Sequence, residues 1–540
     1  MRFFSLWLIF LFISMIVFGQ TLNNFFVSDD FHWLVIARDT SIDWQIFLTN
    51  YIGNHQGGSY NPLLVLLFKF FYTLFHDNYF GYHLVSIILY TSNALLVYIL
   101  TSKIFELVKI VNFKKLALVS ALLFLFYPIH VETIAWLAAW PHLWVTFFYL
   151  LSLIFYFSFR QNNAWQKLAY SFIFFTLALL VKEIAISLPL VIIIWEVYFQ
   201  AAKNKTSIKA YYYLPIYFII LALFLLLRYQ ATGIVAGYYA SSSINFAWLD
   251  WSANLAAFGG DFVSFGFWRT LIYKVIYHYQ ESVVIISFVA LASYFLLILR
   301  KKRYLQFTTF VSLLFILGPV LVTGLHRTTF AGERYLYLAS VFFVIWLSIL
   351  YQDLKINFKF IKYILALLFI IFVAISSYKL DIWEQATSLS KQIVASYSQL
   401  NIDNKQKLIS VALPDNLSGA EVFRNNLQQA LEIYYPSNYP AIITTQAYLA
   451  VNKNNKNKQL LKWRQDERGW LAESIDGSFV VTGITSISKD GLYWELWNYN
   501  YQNYKANIIR LLPSPDVLSK LARDEIKILI FDQGKLRLLE

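Results

Sequence analysis

Two adjacent carboxylates, Asp29 and Asp30, follow the first apolar segment of the chain and stand close to His32 in the run FFVSDDFHW. A carboxylate pair can supply a general base or hold a metal ion, so both are candidate catalytic residues. Asp also caps helices at their N-termini, and the residues alone leave both interpretations open.

The run FYPIHVETIAW carries a second candidate pair, in which Pro128 ends an apolar segment and His130 and Glu132 stand close together. Such a pair can ligate a metal, relay a proton or bind a hydroxyl-rich substrate. Because spacing this short is weak evidence for a metal site, a divalent metal stays an open option and no other cofactor is predicted.

A third motif, LLVKEIAISLP, contains Lys182 and Glu183. Adjacent residues on a helix do not face each other, so each is expected to have its own partner, and an anionic phosphate suits Lys182. The segment 168–201 lies between two basic loops and gives ~51 Å of helix, less than two crossings of ~30 Å. We therefore expect this turn to lie below the outer surface, inside a cavity.

The remaining candidates come from the runs HRTTFAGERYLYLAS and LLLRYQATG, at the outer ends of apolar segments. They are His326, Arg327, Glu333, Arg334, Tyr335, Tyr337 and Arg228. Aromatic and Arg side chains at this level also form ordinary interfacial belts, and a long Arg side chain there can simply reach for water. Taken together, the cations and carboxylates suit a site that binds a lipid-linked phosphate and deprotonates an acceptor.

The elements that position these motifs belong in a bilayer, because 59% of the 540 residues are hydrophobic and only 14% are charged. Apolar runs recur to about residue 378 and predict an α-helical polytopic membrane protein with roughly 11 transmembrane helices. The predicted spans are approximately 3–20, 80–101, 116–130, 134–158, 168–181, 184–201, 211–229, 282–299, 304–325, 335–351 and 361–378. The predicted membrane domain is 1–378, with a first outer loop at about 21–79.

Basic residues cluster in alternate loops, and because cytoplasmic loops hold the excess of Lys and Arg, the N-terminus is predicted to be cytoplasmic. The odd number of spans then places residues 379–540 outside. This distribution accounts for the net charge of +13 without a nucleic-acid partner. No clear cleavage pattern follows the first apolar run, which favours a retained span over a cleaved signal peptide. Lys- and Asn-rich usage and the absence of cysteine favour a bacterial inner or plasma membrane.

Residues 379–540 are predicted to form an extracytoplasmic α/β domain. A strand is expected near Lys407–Leu413, a turn at Pro414–Asn416, and a helix from Ser418 with Glu421 completing a capping box. A closing hairpin is expected to turn at Asp532–Gly534.

Four ordered runs between residues 20 and 345 resemble the membrane part of the TMTC-type O-mannosyltransferases, members of the GT-C superfamily. They are YNPLLVLLFKFFYTLFHDNYFGYHLVSIILYTSNALLVYIL, FYPIHVETIAWLAAWPHLWVTFFYLLSLIFY, LLVKEIAISLPLVIIIWE and GERYLYLASV. The resemblance implies a GT-C fold, an outward active site, and inverting transfer of a sugar such as mannose from a polyprenyl-phosphate donor.

The resemblance also implies roles for the motif residues. The acidic pair of the first outer loop would carry catalysis, with Asp29 as the preferred base. The family's second motif falls on His130 and Glu132, with Tyr127 in place of its usual His. The KE and ERYLY motifs fall on residues 182–183 and 333–337.

One departure limits the comparison, because no 34-residue repeat follows residue 380 where TMTC proteins carry tetratricopeptide repeats. The acceptor, a protein or a glycan or lipid, therefore cannot be carried over. A transporter or flippase of a lipid-linked or anionic substrate is the main alternative, although repeated halves with matching interrupted helices are not visible. A non-catalytic scaffold would leave the outward bias of acids and histidines unexplained.

Overall fold

A computed structural model describes most of the chain. The described residues are 2–55, 57–203, 212–235, 248–266, 269–300, 303–321, 331–353, 358–400, 402, 406–437, 439–444, 448–451, 459, 461–467, 469–475, 478–480, 486–489, 492–497, 505–506 and 508–539. His326 and Arg327 lie outside these ranges.

Sixteen α-helices precede the first strand among the described residues. They are α1 Arg2–Phe18, α2 Asp29–Asp39, α3 Pro62–Phe75, α4 Tyr79–Leu107, α5 Phe113–Phe126, α6 Val131–Ala135, α7 Trp140–Asn162, α8 Trp165–Val181, α9 Leu188–Lys203, α10 Leu214–Thr232, α11 Trp248–Ser264, α12 Arg269–His278, α13 Gln280–Arg300, α14 Tyr304–Leu317, α15 Tyr337–Asp353 and α16 Phe358–Ser396. Each of the predicted spans contains one of these helices, which confirms the polytopic α-helical class.

In the described part of the chain, seven helices are long and apolar enough to cross a membrane, or eight if α5 and the bent segment after it form one span. The other three predicted spans hold shorter apolar helices, at 165–181, 285–297 and 304–320. The protein is therefore an integral membrane protein. The predicted number of crossings is larger than the number of full-length helices, because three of the predicted spans hold helices shorter than about 18 residues.

The candidate motifs lie where long helices are interrupted. Pro128 follows α5, has no backbone N–H to continue the helix, and begins a 3-10 turn, so the axis bends by 47° before α6. Lys182 is extended, with φ −160° and ψ 138°, between α8 and the 3-10 helix Glu183–Ser187. A third 3-10 helix, Glu333–Leu336, leads into α15. These interruptions free side chains from the helix surfaces and turn them toward a shared region.

Helix α16 is 39 residues long, or ~58 Å, which is about twice the hydrocarbon thickness of a bilayer. The predicted domain boundary after residue 378 falls within this helix, where the composition changes. The division into domains at that point stays a prediction.

The C-terminal part is a mixed α/β structure of three sheets. Its strands are β1 Lys407–Val411, β2 Pro414–Leu417, β3 Ala420–Glu421, β4 Ile442–Thr444, β5 Tyr448–Val451, β6 Leu461–Asp466, β7 Gly469–Ser474, β8 Ser478–Val480, β9 Ser486–Lys489, β10 Leu492–Trp497, β11 Lys505–Ala506, β12 Ile508–Pro513, β13 Ile526–Asp532 and β14 Lys535–Leu538, with helices α17 Leu427–Tyr434 and α18 Pro515–Ala522. The sheet orders are β14-β13-β1-β4, β6-β7-β12-β10-β9 and β11-β8-β5-β2-β3. In the first sheet β1 lies parallel to β13 and β4.

Two local predictions in this region are wrong and two are confirmed, the first of these being the strand near Lys407–Leu413, which is β1. The predicted turn at 414–416 belongs to β2, and the helix predicted from Ser418 begins only at Leu427. The reason is a tight reversal: Ser418 and Gly419 have φ values of 51° and 108°, and Glu421 pairs with Asn416 across an antiparallel ladder instead of capping a helix. The predicted hairpin is confirmed, with Asp532 opposite Lys535.

Candidate active site

Asp30 ties the first outer loop to the second motif. Its side chain is 1% exposed, and its two oxygens accept hydrogen bonds from the backbone N–H of Val27, at 3.0 Å, and of Ala138, at 2.7 Å. Burial raises the pKa of Asp30 above its usual range, and the two backbone N–H groups oppose that shift. Because both oxygens are used within the protein, Asp30 fixes the loop geometry.

Asp29 differs from its neighbour in being only half-buried. One of its oxygens, Oδ1, accepts a hydrogen bond of 2.9 Å from the side-chain amide of Asn426, at the start of α17. The preceding residue, Ser28, has φ 42° and donates its N–H to the carbonyl of Val422, at 2.8 Å. The first outer loop therefore presents Asp29 at its junction with the C-terminal part.

Glu132 holds the GERY segment in place. Its carboxylate accepts the backbone N–H of Gly332, at 3.1 Å, and of Arg334, at 2.9 Å, and it also pairs with the guanidinium of Arg334. The same guanidinium lies 4.7 Å from the ring centroids of both Trp136 and Tyr335. These contacts fix the direction of the Arg334 cation, in keeping with the cation–π geometry of Arg.

Glu333 belongs to a buried network of four charges. Both of its oxygens lie 2.7 Å from Nζ of Lys379, and one lies 3.5 Å from Nη2 of Arg269. Arg269 in turn pairs with Asp261 at 2.5 Å. Opposite charges balance here, as buried ion pairs require. A small cleft beside this network is lined by Glu132, Glu333, Lys379, Ile382, Trp383, Gly419 and Ala420.

His130 and Tyr337 lie in the packed interior. His130 is fully buried, with its ring nitrogens 2.8 Å from Oγ of Ser340 and 3.2 Å from the hydroxyl of Tyr90. Tyr337 accepts a hydrogen bond from the amide of Asn93, at 3.2 Å, and its ring packs against His130. Both residues are placed to support the motifs, and neither faces the half-buried carboxylate of Asp29.

Glu183 and Arg228 come together at the KE turn. Glu183 lies 3.7 Å from Arg228, which is itself 3% exposed. Lys182 is 9% exposed, and the phosphate partner expected for it stays a prediction. The ring of His142 packs edge-on against Tyr335, at 5.4 Å.

Several site residues were not identified from the sequence, and most follow residue 378. They are Lys379, Asp415, Glu421, Arg424, Asn426, Asp261, Arg269, Trp136 and His142. Asp261 and Arg269 pair across 8 positions and Asp415 and Arg424 across 9, whereas the contact of Asn426 with Asp29 spans 397 positions. In the part of the chain that the structure describes, no group of three His, Asp or Glu side chains is arranged to hold a metal ion.

Replacing Asp30 with Asn is expected to lower the free energy of unfolding by about 1–3 kcal/mol, because a carboxamide keeps one acceptor oxygen and turns its NH₂ toward a backbone N–H. Thermal unfolding of the purified protein in detergent would measure this. The matched control is Asp77→Asn, an exposed carboxylate in the same outer loop. Equal stability of the two variants would contradict the anchoring role of Asp30.

Comparison with known proteins agrees with these motifs. Residues 59–228 match the family described as dolichyl-phosphate-mannose-protein mannosyltransferase. The chain is 30% identical over 214 residues to human "Protein O-mannosyl-transferase TMTC1", which covers 36% of this chain and 24% of the relative. The mouse protein of that name is 29% identical, over 35% of this chain and 22% of the relative.

A third relative, "Protein O-mannosyl-transferase F38B6.6" of Caenorhabditis elegans, is 30% identical over 29% of this chain and 23% of its own length. The chain thus matches about a quarter of the length of these curated relatives. Over residues 59–228 the chain is similar to the dolichyl-phosphate-mannose-protein mannosyltransferase family, and its membrane part resembles that of the TMTC-type protein O-mannosyltransferases of the GT-C superfamily.

Proposed function

We propose that this protein is a glycosyltransferase that moves a sugar, such as mannose, from a polyprenyl-phosphate donor to an acceptor on the outer side of the membrane. The observation that carries the proposal is the unequal use of the acidic pair. Both oxygens of Asp30 accept hydrogen bonds from backbone N–H groups, whereas Asp29 is half-buried and accepts a hydrogen bond from Asn426 with one oxygen. The carboxylate left for chemistry is Asp29.

In the proposed reaction, Asp29 accepts the proton of an acceptor hydroxyl as that oxygen attacks the anomeric carbon. A new glycosidic C–O bond forms while the bond from the anomeric carbon to the phosphate oxygen breaks. The bonding pair leaves with the polyprenyl phosphate. A single displacement of this kind inverts the configuration of the anomeric carbon.

The leaving phosphate gains negative charge, which nearby cations can stabilise. Arg334 is held by Glu132 and two aromatic rings, and Lys182 is a buried cation of the KE turn. Arg228 is a further buried cation, close to Glu183. Fixed cations in a water-poor site favour a charge that develops in the transition state. This arrangement supports a phosphate-linked donor.

The outward position of the site rests on the distribution of basic residues between alternate spans. All motifs of the site fall in loops that this rule assigns to the outer face, and Asp29 and Glu333 contact residues after 378, which the same rule places outside. The acceptor would then be an extracytoplasmic protein, glycan or lipid.

A proteoliposome assay tests this function against transport. The full-length protein is reconstituted with polyprenyl-phosphate mannose labelled in the sugar, and products are separated by chromatography. We expect label in a new glycosidic product or, without an acceptor, slow release as free mannose. Label that crosses the bilayer still attached to its lipid would support a flippase. If the label stays on its lipid and does not cross the bilayer, both functions are overturned and a non-catalytic scaffold remains.

A further inference from the structure

The segment 414–426 of the C-terminal part lies directly against the first outer loop. Phe31 and Phe423 stack with their rings 5.5 Å apart and only 5° from parallel. Ser28 donates its backbone N–H to Val422, and Arg38 of α2 pairs with Glu432 of α17. Backbone, aromatic and charged contacts thus join the loop that carries Asp29 to this segment.

Asn426 is positioned to orient Asp29. Its backbone is left-handed, with φ 71° and ψ 23°, a conformation that Asn tolerates better than most residues. Its carbonyl accepts the N–H of Ala430, at 3.0 Å, so α17 anchors the residue. The side-chain amide donates to Oδ1 of Asp29, which leaves Oδ2 for another donor.

Glu421 supplies a second carboxylate in the same segment, directly before Val422, whose carbonyl binds the N–H of Ser28 next to Asp29. It is 6% exposed, and its Oε2 has no hydrogen-bond partner among the residues that the structure describes. Arg424 is instead bound by Asp415, at 2.5 Å. Burial raises the pKa of Glu421, Arg424 opposes that shift, and Asp29 adds to it. A buried polar atom without a partner is costly, so a ligand hydroxyl at this position would be favoured.

We infer that the C-terminal part completes the active site, with Asn426 as a positioning residue for Asp29 and Glu421 as a binding residue for a second hydroxyl of the acceptor. This inference rests on the proposed function and names its acceptor class as a saccharide. A saccharide carries several hydroxyls, one to react at Asp29 and another to bind Glu421. A serine or threonine side chain has a single hydroxyl, so a peptide acceptor would have to reach Glu421 with a backbone N–H.

The role of Asn426 is tested with Asn426→Ala in full-length protein in proteoliposomes. We expect transfer from polyprenyl-phosphate mannose to fall about 10- to 100-fold in kcat. The KM for the donor should change by less than about twofold, because Asn426 orients Asp29 and does not bind the donor. Asn425→Ala is the matched control, since Asn425 is the exposed neighbour. Identical kcat values in the two variants would overturn the positioning role.

The role of Glu421 is tested with Glu421→Gln and two acceptors, a methyl mannoside and a peptide rich in serine and threonine. We expect the KM for the mannoside to rise about tenfold, whereas Asn425→Ala keeps the wild-type KM. An unchanged KM, or transfer to the peptide alone, would overturn the saccharide assignment. Wild-type protein that neither transfers nor releases mannose would overturn the proposed function itself. Thermal unfolding in detergent distinguishes a misfolded variant from a specific loss.

Discussion

Asn in place of Asp29 is expected to lower the rate of sugar transfer by about 10²- to 10⁴-fold, the range that a general base contributes. A carboxamide keeps nearly the same shape but cannot accept the proton of the attacking hydroxyl. The half-buried position of Asp29 limits any effect on folding, since Asp30 holds the loop. Initial rates with labelled polyprenyl-phosphate mannose measure the change.

The control for this variant is Asp77→Asn, which removes one negative charge from the same outer loop at an exposed position. It should transfer sugar at the wild-type rate. Thermal unfolding of both variants should match that of the wild type. Full activity of Asp29→Asn would contradict the assignment of Asp29 as the base. An equal loss of transfer rate in both variants would indicate a general electrostatic effect.

The second large effect is expected on stability, from Lys379→Met. Lys379 is 2% exposed and pairs with Glu333, which is 1% exposed. Removing the Lys leaves the buried carboxylate with Arg269, which is already bound to Asp261. Loss of one partner from a buried ion pair costs about 3–5 kcal/mol. Thermal unfolding in detergent, with retention of the folded fraction on gel filtration, would measure this loss.

A double variant tests the charge argument. Lys379→Met together with Glu333→Gln removes both charges of the pair and leaves the Asp261–Arg269 pair neutral overall. It should therefore be more stable than Lys379→Met alone. A double variant that loses the sum of both single effects would show that packing, and not charge balance, governs the stability of this network.

The membrane architecture could be predicted from the sequence because its signals are local. Hydropathy over about 20 residues locates spans, and a residue such as Pro128 ends a helix wherever it stands. The acidic pair, the KE turn and the ERYLY segment were also visible, since charged residues are rare in apolar surroundings. The structure places Arg334 beside Glu132 and Arg228 beside Glu183.

The contribution of the C-terminal part was beyond prediction because it depends on contacts between distant residues. Asp29 and Asn426 are separated by 397 positions, and neither carries a pattern that points to the other. The capping-box rule gave a wrong prediction at Glu421, because the spacing it requires also occurs in this hairpin. The left-handed backbone of Ser418 and Gly419 reverses the chain, and the pairing of Glu421 with Asn416 fixes the hairpin.

The uninterrupted helix α16 would couple the thickness of the bilayer to the geometry of this site. One end of the helix is apolar enough to lie in the membrane, Lys379 in its middle contacts Glu333, and its last turns support β14 through Ser396, whose hydroxyl accepts the N–H of Leu536. A thicker or thinner bilayer changes the tilt of a spanning helix. Such a tilt would shift the ERYLY segment and the C-terminal sheets together, so lipid chain length would become a variable of the geometry of the proposed site.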